Sequence, residues 1–153
     1  MSAPQFTINR TFDAPRELVW HAWTDPTTAA KWWHPHQVVV PEESVEIDLK
    51  VGGRYAYLMI DPTGGRWPTA GEYLEIDEPS RLRFTWGSPD DAADDMPVIT
   101  VDLAETADGK TDMTFHLLGL NADPEAEHGV FGGWTEAFEV LDELFAARSV
   151  TRG

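Results

Sequence analysis

Along QFTINRTF, residues 5–12, Phe6, Ile8 and Arg10 alternate with Thr7, Asn9 and Thr11, the two-residue period of a short half-buried strand. The period then lengthens. In DAPRELVWHAW the apolar positions Leu18, Val19, Ala22 and Trp23 gather on one helical face, with Asp13 or Ala14 at the cap and Pro15 suited to the first turn. A second helical start follows in TDPTTAAKWW, where Asp25 can cap and Pro26 takes the first helical position. The pattern predicts a strand followed by two short helices joined at a kink.

From about residue 42 to 118 the period returns to two. Val45, Ile47 and Leu49 alternate with Glu46, Asp48 and Lys50, and VGGR supplies a Gly-Gly hairpin turn. Tyr55, Tyr57 and Met59 mark the next strand, which ends at DPTGG. Glu72, Leu74 and Ile76 share one phase of the strand after it, closed by DEPS. Leu82, Phe84 and Trp86, then Ile99, Val101 and Leu103, then Met113, Phe115 and Leu117 mark three more, the last two joined by a DG turn. Six strands on turn-rich links predict an antiparallel meander with one dry and one wet face. A helix from about His128 to Arg148 follows, its face formed by Phe131, Trp134, Phe138, Leu141 and Phe145. At about 30 Å it is long enough to cross a sheet.

A chain of 153 residues predicts one domain over 1–153, with its core between about 5 and 148. The absence of cysteine excludes disulfides, thiolate catalysis and Cys-ligated zinc. No apolar run approaches the roughly 20 residues of a membrane span, and MSAPQFTINR lacks a signal pattern, so the expected location is the cytoplasm. A formal charge of −16 argues against nucleic acid and membrane surfaces as partners, because both would repel it.

The segments FDAPRELVWHAWTDPTTAAKWW with a following Pro, KVGGRYAY, GEYLEIDEPSRLRFTW, and GGW at the start of the last helix carry a resemblance. Together, in this order, they resemble the activator of heat-shock-protein-90 ATPase homologue-like family. That family lies within the superfamily of the START lipid-transfer domains, polyketide cyclases and birch-pollen allergen. The resemblance spans about residues 6–147. It implies an α+β helix-grip (START-like) fold: a curved seven-stranded antiparallel sheet wraps the long C-terminal helix and leaves a cavity between them.

Within that fold, Tyr55, Tyr57, Met59, Trp86 and Phe115 on the sheet and Trp134 and Phe138 on the helix are expected to face inward and bind ligand. Of the adjacent Trp32 and Trp33, one anchors the second short helix in the core. The other, taken as Trp33, helps close the cavity. Solid core is the competing reading for any one of these rings. An empty apolar void of about 300 Å³ would cost on the order of 7 kcal/mol, comparable with a domain's whole stability of about 5–15 kcal/mol. A cavity, if present, is therefore expected to be filled by ligand, water or collapsed side chains.

Glu72 shares strand phase with Leu74 and Ile76, which aims its carboxylate at the dry face. There it would serve as a ligand contact or as an acid-base group, with Tyr57 or His128 as its partner. Its alternative is a solvent position near Arg54. His34 and His36 form a His-x-His pair, but no third ligand accompanies it, so neither metal nor cofactor is expected. DDAADD lacks the spacing and glycine of a calcium loop. Three functions follow in order: a binding protein for a small hydrophobic or amphipathic molecule, a cyclase- or hydrolase-type enzyme using Glu72, and a co-chaperone-like interaction module or homodimer.

Overall fold

The computed structural model describes residues 5–33, 38–87, 96–119 and 130–151, with side chains described between 133 and 146 in the last segment. Its elements are β1 (Gln5–Phe12), α1 (Arg16–Thr24), α2 (Pro26–Ala29), a single 3-10 turn, β2 (Glu46–Ile47), β3 (Arg54–Ile60), β4 (Arg66–Asp77), β5 (Arg81–Thr85), β6 (Val98–Glu105), β7 (Thr111–Leu118) and α3 (Val130–Thr151). One antiparallel sheet runs in the order β1-β7-β6-β5-β4-β3-β2. The strand-helix-helix-meander-helix order expected from periodicity is thus observed, and the sheet is the curved sheet of a helix-grip fold.

β1 pairs along its full length with β7, from Gln5↔Leu118 to Phe12↔Thr111. The first two strands therefore form opposite edges of the sheet, and the chain carrying α1 and α2 crosses its whole width. Asp25 makes the corner between the helices. Its carboxylate accepts from the Thr28 backbone N–H at 3.0 Å and the Thr28 hydroxyl at 2.9 Å, an N-cap with Pro26 in the first turn. These bonds hold the Asp25 carboxyl below its ordinary range, the Thr28 amide first among the causes.

The dry face is continuous. Ile99, Val101 and Leu103 of β6 and Met113, Phe115 and Leu117 of β7 are buried, as are Trp23 of α1 and Phe138 and Leu141 of α3. Phe12 at the end of β1 meets Phe138 and Phe145 edge-on at 6.3 and 5.7 Å, locking α3 against that edge. Each such side chain contributes roughly 1.5–3 kcal/mol by leaving water.

Two sequence expectations need correction. β2 spans only Glu46–Ile47, and Leu49 is exposed. After Ile47 the chain coils back on itself, with Lys50 N–H donating to Asp48 O and Gly53 N–H to Lys50 O. A Cβ on Gly53 would lie 2.2 Å from the Asp48 carbonyl, so this turn admits only glycine there.

The second correction concerns β4. Its register with β5 shifts by one residue between Tyr73↔Phe84 and Glu75↔Arg83, leaving Leu74 as the extra residue of a bulge. Tyr73 and Ile76 therefore both turn to the core although three positions separate them. Glu72, which strict alternation had placed inward with Ile76, lies on the opposite face, beside its cross-strand partner Arg54.

Candidate functional site

Two consecutive indoles leave the last turn of α2. Trp32 and Trp33 both donate their backbone N–H to Ala29 O, at 3.1 and 2.9 Å, and their ring planes diverge by 73°. Trp32 turns inward, meets Trp23 edge-on at 4.7 Å and donates its Nε1–H to Ala22 O at 2.8 Å. Trp33 turns toward the sheet and lies over Tyr57 at 4.9 Å and Tyr55 at 5.9 Å. Adjacent residues on a helical turn project about 100° apart, which is why one indole becomes core and its neighbour becomes wall.

These rings border a small, partly open cavity of about 10 Å³ between the sheet, α1 and α3. Trp23 lines it from α1 and Trp33 from beyond α2. Tyr55 and Tyr57 come from β3 and Tyr73 from β4, while Leu82, Phe84 and Trp86 come from β5 and its extension and Trp134 from α3. None of these side chains is charged. The volume is close to that of a single water, so the rings themselves fill most of the space.

Gly71 makes one wall possible. A Cβ there would lie 1.9 Å from Thr85 O and 2.6 Å from the Tyr55 ring. Without it, the Tyr55 ring lies across β4 and its hydroxyl donates to Thr85 O at 2.6 Å. The Thr85 hydroxyl accepts from Glu72 N–H at 2.8 Å, so side chains replace part of the β4–β5 backbone pairing here.

The wall's polar atoms fall into two groups. Trp86 Nε1–H donates to the Tyr57 hydroxyl at 3.2 Å, and Tyr55 is satisfied by Thr85. The indole nitrogens of Trp23 and Trp33 are buried with no hydrogen-bond partner among the described residues. Burial pushes the Tyr57 phenol up to about 12, against smaller opposing effects of the Trp86 and Thr69 hydrogen bonds. Tyr55 and Tyr73 are also raised, chiefly by burial. All three phenols stay neutral near pH 7, able to exchange hydrogen bonds but not to act as bases.

Trp33, Tyr55, Tyr57, Trp86 and Trp134, expected from sequence, come together around the cavity. Phe115 and Phe138 are fully buried behind it, 4.8 and 5.8 Å from Trp134. Met59 is half-buried further along β3 and does not line it. Glu72 is on the outer face, so the expected pairing of a cavity carboxylate with Tyr57 is not formed. His128, like His34, His36 and DDAADD, lies outside the described residues.

Sequence reasoning missed Trp23, Tyr73, Leu82 and Phe84 as wall residues. Trp23, Leu82 and Phe84 carried the signal already, being inward by periodicity. Tyr73 was hidden by the bulge. Among the described residues no group of three His, Cys, Asp or Glu side chains is placed to hold a metal ion, and no helix is long and apolar enough to cross a membrane.

Among curated proteins none matches this chain. A solved structure from Chromobacterium violaceum is 28% identical and superposes with a TM-score of 0.78, covering 92% of this chain and 95% of its own. One from Nitrosomonas europaea is 24% identical with a TM-score of 0.79, covering 96% and 97%. An Hsp90 activator from Plasmodium falciparum shares the fold at 21% identity, with a TM-score of 0.68 and coverage of 94% and 96%. The family model for activator of Hsp90 ATPase homolog 1-like protein matches residues 13–146. With that match covering residues 13–146, most of its length, the chain belongs to the activator of Hsp90 ATPase homolog 1-like family.

Proposed function

We propose that the protein binds a small, predominantly apolar molecule in the space between its sheet and α3. One observation carries this reading: the rings around the cavity include two buried indole N–H donors that no group among the described residues satisfies. An unsatisfied buried donor costs about 1–3 kcal/mol, and a solid core would be expected to avoid two at one place. At about 10 Å³ the space is nearly filled by its own rings, so a ligand would enter by parting them. Trp86 is the half-buried member of the wall and so the one with most room to swing.

Native mass spectrometry of gently purified protein, followed by extraction, tests the reading. A stoichiometric small molecule is expected. Protein that stays bare, and that also shows no thermal shift with small apolar compounds, overturns it.

A second reading, a co-chaperone-like interaction module, draws on a different surface. Trp67 and Val39 are 59% and 58% exposed, flanked by the half-buried Met59 and Ile60 through the pairs Met59↔Trp67 and Val39↔Ile60. The family description and the similarity to the Plasmodium activator supply the partner class. Stimulation of Hsp90 ATPase turnover that is lost in Trp67→Ala would favour it. Turnover unchanged by the wild-type protein would remove it.

A further inference from the structure

The two edges of the sheet are finished differently. At one, β2 is two residues long, and beyond it the outer side of β3 is occupied. Leu58 N–H donates to the Ser44 hydroxyl at 3.2 Å, and Val39 and Ile60 exchange backbone bonds at 3.0 and 2.8 Å. At the other, β1 pairs with β7 over all 8 of its residues, without a bulge, proline or glycine. From Thr7 to Phe12 no backbone hydrogen bond between described residues reaches its outward side. A long, regular edge is a template for another strand, and proteins that stay apart blunt it with lysine, proline, a bulge or brevity. β1 has none of these.

Charge sets this stripe apart from the rest of the surface. The chain carries a formal −16, yet β1 holds no carboxylate and a single cation, Arg10, already paired with Asp142 of α3. Its exposed side chains, Gln5, Thr7, Asn9 and Thr11, are all neutral. The Thr11 hydroxyl donates to Asp112 at 2.6 Å, and the Thr114 hydroxyl donates to the Asn9 carboxamide oxygen at 3.2 Å. These side chains are thereby held over β7 and away from the outward edge.

A strand of this kind fits its own copy. With a two-fold axis through Asn9, antiparallel pairing sets each residue opposite one on the same face. Thr7 then faces the partner's Thr11, Ile8 faces the partner's Arg10, and the two Asn9 carboxamides meet, each with a donor and an acceptor. No like charges are opposed. A basic peptide, which the −16 would attract, finds no carboxylate on β1 to pair with.

We infer that β1 is a self-association edge, joining two copies of this chain into one continuous sheet about a two-fold axis at Asn9. A single strand pair buries less than the roughly 1,600 Å² of a standard interface, so the dimer is weak, with a Kd on the order of 100 µM. The net charges repel while no ion pair crosses the axis, so salt strengthens the association.

Sedimentation equilibrium of the full chain up to about 1 mM tests this, at low salt and at about 0.5 M NaCl. A dimer is expected that tightens about tenfold in the higher salt. Asn9→Lys sets two ammonium groups opposite each other at the axis and should weaken the dimer about tenfold, although it lowers the overall negative charge. Trp67→Ala, on β4, should leave it unchanged. The absence of cysteine allows a geometric check as well. Opposed residues of an antiparallel pair lie about 4.5–5.5 Å apart at Cα, within disulfide reach, whereas the two Thr7 positions would be too far out of register. Under mild oxidant Asn9→Cys should cross-link and Thr7→Cys should not, a comparison that stands even if Asn9→Lys fails to fold.

A monomer at every concentration and salt overturns the inference and leaves the edge to an extended segment of another protein. A dimer that Asn9→Lys leaves intact, or that Trp67→Ala abolishes, lies on another surface and overturns it too. Cross-linking of Thr7→Cys as fast as Asn9→Cys overturns the axis at Asn9.

Discussion

The Tyr55 hydroxyl donates to the carbonyl of Thr85 at 2.6 Å, spanning β4 above a residue that has no side chain. Thr85 ends β5, and its carbonyl accepts the phenol of Tyr55. Tyr55 thereby fixes the cavity wall and ties β3 to β5 across the intervening strand.

Gly71→Ala forces a methyl into Thr85 O and the Tyr55 ring, and the Thr85 atom is backbone that cannot rotate aside. Destabilisation of about 3 kcal/mol or more is expected. Tyr55→Phe keeps the ring and strands a buried carbonyl, for an expected loss of about 2 kcal/mol. Urea unfolding followed by circular dichroism measures both. Similar stability of wild type and Gly71→Ala would mean that Tyr55 does not cross the strand this closely.

Glu72→Gln is expected to be nearly silent. The side chain shares the outer face with Arg54, away from every ring that lines the cavity. Stability should change by less than about 0.5 kcal/mol, as for most surface substitutions. Binding of any cavity probe should stay unchanged by calorimetry. A marked loss of binding would restore Glu72 to the site.

Arg10 on β1 donates through Nε at 2.8 Å and through a terminal nitrogen to Asp142 on α3. The two side chains are 26% and 39% exposed, so solvent screens the pair. A double-mutant cycle should give a coupling of about 0.5–1 kcal/mol that falls in high salt. Coupling well above that range would indicate a drier junction between β1 and α3 than these exposures describe.

Asp61 organises the β3–β4 hairpin. Its carboxylate accepts from Trp67 Nε1–H at 2.9 Å, the Thr63 hydroxyl at 2.7 Å, and the backbone N–H groups of Gly65 and Thr63 at 2.8 and 2.9 Å. These bonds, led by the Trp67 indole, hold its carboxyl down at about 2. A lowered folded-state value means that its contribution is fully present above the unfolded value of about 4 and is lost as pH falls through the folded value. Carboxyl ¹³C titration should place the Asp61 midpoint near 2, and Trp67→Phe should raise it. An unchanged midpoint in the variant would dissociate Trp67 from the hairpin.

The elements were legible because each buries one face, and burial imposes a period of two on a strand and 3.6 on a helix. Ile99, Val101 and Leu103, or Asp25 with Pro26, announce their positions without any help from the rest of the chain. The resemblance supplied the helix-grip arrangement, and the match over residues 13–146 agrees with it.

The site was legible only in its composition. The sequence by itself determined that β3, β5 and α3 would bring large rings to a common interior, since periodicity encodes which face of an element is dry. It did not determine which polar groups would join them. That was decided by the one-residue shift at Leu74, which turned Tyr73 inward and Glu72 outward, and by Gly71, which let Tyr55 reach Thr85. Periodicity is local, whereas a bulge and a hydrogen-bond partner are settled by the strand alongside, so only the assembled sheet fixed the chemistry of the cavity.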